Sequence, residues 1–138
     1  MNLSSREFLM LGSGAIFLIA LLHIALALRP QWYRCFGADE LVQLHNKGSR
    51  FTVLVTLGLA LMFAFWGIYA LSGASVIRQL PLLRAVLIAA SVRYLLRSLM
   101  LPSELVKVLT SGYSFRFVVS STGSLAAGLL YLVGTFSR

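Results

Sequence analysis

Arg93 and Arg97 stand four positions apart inside an apolar run bounded by Pro81 and Pro102. On a helix that spacing puts both guanidiniums on one face. Together they can hold a carboxylate, a lipid phosphate or a small anion through charge-assisted hydrogen bonds. Arg84, nine positions before Arg93, falls on nearly the opposite face. Polar groups able to orient a bound anion occur in two other apolar runs: His23 in the first, and Ser120, Ser121, Thr122 and Ser124 in the last.

Other chemistries find less support. Cys35, Asp39 and His45 share one polar loop and have the side-chain types of a nucleophile, an orienting acid and a base. No family signature surrounds them, and they read as part of a solvated interfacial loop. No catalytic residue is assigned. A metal site is not expected either, because the single Cys and two His of the chain show no ligand spacing. His23 alone lies in an apolar run, so paired haem ligation within the chain is unavailable to it. No cofactor is expected.

The elements that must position these residues are helices in an apolar solvent. The chain has 138 residues, is 59% hydrophobic and only 12% charged, and has a mean hydropathy of +0.87. Four apolar stretches, 8–28, 52–72, 81–101 and 117–136, reach the roughly 20 residues needed to cross a bilayer. They are apolar all round rather than amphipathic, which excludes an ordinary soluble domain. The expectation is a single integral membrane domain over 1–138, an all-α bundle of four transmembrane helices.

Pro81 opens the third span as a first-turn proline, and Pro102 closes it. Gly12-Ser13-Gly14-Ala15 on the first span, and Gly123 with Ala127 and Ser124 with Gly128 on the fourth, are small-residue sets suited to close helix packing. The first span also fits a cleavable signal peptide in its basic flank and small-residue end, but its length and His23 favour a retained helix. Residues 38–45 can form a short surface helix after Gly37, with Trp32, Tyr33 and Phe36 at head-group level. A TSGYSF turn precedes the fourth span.

The net charge of +8 does not imply nucleic acid, since neither a water-facing basic surface nor a recognition motif is visible. The basic residues are spread over the connections, where they meet anionic lipid head groups and set topology. Arg29, Arg34, Lys47 and Arg50 lie on the first connection and Lys107 and Arg116 on the third; Arg6, Arg78 and Arg138 lie on the opposite side. The positive-inside rule then places both termini on the extracytoplasmic side. The hydropathy resembles that of small four-span bacterial inner-membrane proteins, which implies a location and no activity.

Arg93 sits about 3 Å from the middle of its span and Arg97 about 9 Å. A charge so deep costs about 2.5–3.5 kcal/mol in lipid and calls for a partner. None of the spans contains an acid, so the counter-ion must be a loop carboxylate folding inward (Asp39, Glu40 or Glu104), a hydroxyl, a lipid phosphate or a foreign group. Alternation of direction brings His23, Thr56 and the fourth-span hydroxyls into the half occupied by Arg93 and Arg97. Two functional readings follow. One is a non-catalytic membrane subunit or accessory factor whose arginines meet a protein partner or a second copy. The alternative is binding or transport of an anion or anionic lipid in a polar half-membrane pocket. An enzyme is not expected.

Overall fold

The computed structural model describes residues 4–36, 39–112 and 115–137, and the regular structure within them is helical. In chain order come α1 (Ser5–Leu28), a 3₁₀ segment (Pro30–Phe36), α2 (Asp39–Asn46), α3 (Phe51–Gly73), α4 (Leu83–Ser98), α5 (Leu101–Ser111) and α6 (Phe115–Phe136). Four stretches are long and apolar enough to cross a membrane: α1, α3, the run Leu83–Ser111 formed by α4 and α5, and Phe117–Phe136. The backbone N–H of Ser4 starts α1 by donating to the Glu7 carboxylate at 2.6 Å, which satisfies one of the groups a helix start leaves open.

The third span departs from expectation at both ends. Its helix begins at Leu83, after Leu82 in the left-handed region at φ 54°, rather than at Pro81. Pro102 does not close it. The sixteen residues of α4 rise only about 24 Å, short of the roughly 30 Å of a hydrocarbon core. The chain then tightens through Leu99 and Met100, whose N–H groups donate to the carbonyls of Leu96 (3.2 Å) and Arg97 (3.4 Å). Helix α5 starts directly afterwards with Pro102 in its first turn, where a missing N–H costs no helical bond. Gly112 caps α5 at φ 63°; the rest of the expected turn, Tyr113 and Ser114, lies outside the described residues, as do Gly37, Ala38 and Arg138.

Helix α1 packs along α3 and against α6, α6 packs along α4, and α3 meets α4 more sparsely. The core between them holds Leu9, Ile16, Ala70, Leu87, Ala90, Tyr94, Ala127 and Tyr131. Two glycines let backbones approach. A Cβ on Gly134 would lie 2.6 Å from Leu9 Cγ and 3.2 Å from the Ser5 carbonyl, and one on Gly128 would lie 2.9 Å from Leu95 Cγ and 3.2 Å from Leu95 N. Of the small-residue sets, Gly12, Ser13, Ala127 and Gly128 are buried, whereas Gly14, Ala15 and Gly123 are exposed. The buried Ser13 hydroxyl donates to the Gly67 carbonyl at 3.0 Å.

These contacts fix the ends of the bundle. Ser5 and Leu9 of α1, Gly73 of α3, Leu87 of α4 and Gly134 of α6 gather at one end. Near the other end the buried Tyr33 hydroxyl donates to Thr56 Oγ1 (2.5 Å), which itself donates to the Thr52 carbonyl (2.9 Å). The start of α1 and the finish of α6 therefore share one end. Between α3 and α4, the Ser72 hydroxyl donates to the Arg78 carbonyl (3.0 Å) and accepts the Leu80 N–H (2.9 Å), so one side chain ties down most of that connection.

Candidate functional site

Arg97 lies near the end of α4, Glu104 in the first turns of α5 and Ser121 on α6. Their side chains close a three-membered ring of hydrogen bonds. Arg97 Nη1 donates to Glu104 Oε1 at 3.2 Å and to Ser121 Oγ at 2.7 Å, and Ser121 Oγ donates to Glu104 Oε2 at 2.5 Å. Ser121 is fully buried, and the Glu104 side chain is 6% exposed against 34% for Arg97. Because α5 carries on from α4, Glu104 returns to the face of Arg97 after seven residues, two helical turns. Of the three candidate counter-ions, Glu104 is the one that reaches Arg97, and it does so from helix α5 within the third candidate span rather than from a loop. Asp39 instead makes a long, exposed contact of 4.0 Å with Arg34, and Glu40 is exposed.

Arg93 has different surroundings. It is exposed, ten residues into α4, and its guanidinium carbon lies 6.0 Å from the centre of the Phe63 ring and 5.9 Å from that of Tyr94. Among the described residues no carboxylate comes within ion-pair distance of it. Phe63 is ten residues from the end of α3, so the alternation of the helices sets it level with Arg93. The ring of His23 lies 4.9 Å from that of Phe63, and its Nδ1 is 2.8 Å from the Ile19 carbonyl. Behind this surface, Tyr131 donates to the Trp66 carbonyl at 3.1 Å, and the Tyr94 hydroxyl is buried with no hydrogen-bond partner among the described residues.

The expected polar residues are thus divided. Arg97 and Ser121 come together with Glu104. Arg93 and His23 flank Phe63 on an aromatic surface. Ser120 and Thr122 are exposed, Thr122 donating to the Val118 carbonyl at 2.8 Å and Ser124 to the Ser120 carbonyl at 3.0 Å. These last bonds are local ones that a helix offers any hydroxyl. Phe63 and Tyr94 are the residues that reasoning from polar side chains overlooks; counting the alternating helices for aromatic as well as polar groups would have found them. Arg84, the third arginine of the run, lies over the Phe136 ring at 5.5 Å beside a cleft of about 250 Å³ lined by Gln79, Leu87 and Thr135.

Chemically, Arg97 already has its anion, held by a buried carboxylate and a buried hydroxyl. Arg93 has two aromatic faces and, among the described residues, no counter-charge. No family model, curated protein or solved structure matches this chain.

Proposed function

We propose that this chain is a non-catalytic membrane subunit or accessory factor of a bacterial inner membrane, with both chain ends on the extracytoplasmic side. The observation that carries the reading is the exposure of Arg93, in the second half of α4, with no carboxylate beside it among the described residues. In lipid, a guanidinium at that depth costs about 2.5–3.5 kcal/mol. Cation–π contacts of the exposed Arg93 with Phe63 and Tyr94 return about 0.5–1 kcal/mol, which leaves the charge itself uncompensated. A partner seated on that face would complete the site. Binding of an anion or anionic lipid by Arg93 and Arg97 together, the alternative, would have to compete with Glu104 for the charge of Arg97.

Extraction in mild detergent tests the reading. The expected result is a species larger than the solitary chain that shrinks when Arg93 is changed to Leu. A wild-type chain that migrates alone, with a size unaffected by Arg93→Leu, overturns it. Reporter fusions at the two termini test the orientation, which rests on the basic first connection with Arg29, Arg34, Lys47 and Arg50; a cytoplasmic N-terminus overturns that part alone.

A further inference from the structure

Resting on the subunit reading, we infer that the partner is a different polypeptide, one that presents an Asp or Glu midway along an apolar transmembrane helix and docks that helix on the α4 face around Arg93. The acids of this chain decide against a second copy. There are four in all. Glu7 is at the start of α1, bonded to the Ser4 N–H; Asp39 and Glu40 open α2 in the first connection; Glu104 is held by Arg97 and Ser121. Glu104 is the one of the four that lies more than a helical turn inside a candidate span, Leu83–Ser111, and it is already paired with Arg97. A symmetric dimer about an axis along the membrane normal would instead bring the Arg93 of each copy to the same depth, and the like charges would repel.

A lipid phosphate fits less well than a carboxylate carried by protein. The head groups lie about 15 Å from the middle of the hydrocarbon, and Arg93 is four residues, about 6 Å along the axis, from the centre of the Leu83–Ser111 run. Its planar fork of donors matches a carboxylate with two parallel hydrogen bonds. The face itself is shaped for a helix: Ala85, Ala89 and Arg93 are exposed at intervals of four on α4, so two small side chains allow close approach on one side of the charge. Val92 (47% exposed) and Leu96 (60%) lie on the same flank of α4 as these alanines and offer apolar contact.

Photo-crosslinking from position 96, with the full chain in its own membrane and the adducts identified by mass spectrometry, tests the inference. The expected adduct is to a different polypeptide, within about one helical turn of an Asp or Glu inside an apolar span. Its yield should fall on the order of tenfold or more with Arg93→Leu, or when that acid is changed to its amide, and should fall less with Arg93→Lys, which keeps the charge but loses the planar fork. An adduct to a second copy of this chain, or to a span without an acid, overturns the inference and leaves the subunit reading standing. Lipid adducts alone, from a chain that migrates as a solitary species, overturn both.

Discussion

Arg97 and Glu104 face each other across the break between α4 and α5, seven positions apart with Nη1 and Oε1 at 3.2 Å, and Ser121 of α6 bonds to both. The pair ties three helices at one point. It also separates Arg97 from Arg93, which shares its helix face and has no carboxylate among the described residues.

Removing either member of the pair leaves the other exposed to its own desolvation. A fully buried pair broken on one side costs about 3–5 kcal/mol. The Arg97 side chain is 34% exposed, so water compensates part of that loss, and about 2 kcal/mol is expected for Glu104→Leu or Arg97→Leu. The double variant should recover most of it, because neither charge is then stranded. Thermal unfolding of the four proteins in detergent closes the cycle; strictly additive losses would contradict the coupling.

Arg93→Leu should behave differently although it lies one turn away. Only the two cation–π contacts are lost, so the isolated chain should change in stability by no more than about 1 kcal/mol. The same melting experiment reads this, and a loss as large as that of Arg97→Leu would mean that Arg93 has an internal role.

Two of the three glycines of α6, Gly123 and Gly128, make a contrasting pair. A methyl group at Gly128 meets both the side chain and the backbone nitrogen of Leu95, whereas one at Gly123 meets nothing within 4 Å. Gly128→Ala should destabilise the chain by about 1–3 kcal/mol through a forced separation of α4 and α6. Gly123→Ala should stabilise it by about 0.5–1 kcal/mol through helix propensity. Equal effects from the two would contradict the described seam.

Tyr33→Phe removes the hydroxyl that fastens the 3₁₀ segment to Thr56 of α3. Thr56 keeps its bond to the Thr52 carbonyl, so the loss should be about 1 kcal/mol and local. Faster proteolytic cleavage between residues 30 and 50, with little change in the global melting temperature, is the expected result.

The four spans were legible because hydropathy over twenty residues is a property of the chain alone, and a helix apolar all round needs no partner to be recognised. The role of Glu104 was only half legible. It stood among the possible counter-ions, but a proline two residues before it reads equally as the end of one helix or the first turn of the next. Only the second reading carries the helix face from Arg97 to Glu104. The apolar residues Leu101, Leu105, Val108 and Leu109, at helical spacing, were the signal for that choice. The environment of Arg93 was less accessible still. Whether a side chain midway along a helix points inward depends on which neighbours that helix has, and spacing along the chain does not determine it.

The position of Glu104 also bears on the order of events during synthesis. Its carboxylate follows Arg97 by seven residues, whereas Ser121 follows by twenty-four. In a bilayer, the Leu83–Ser111 run would carry that charge already balanced from within once α5 has formed, before the fourth helix has left the ribosome. Among the described residues Arg93 has no such companion, and its charge would stay uncompensated until the proposed partner arrives.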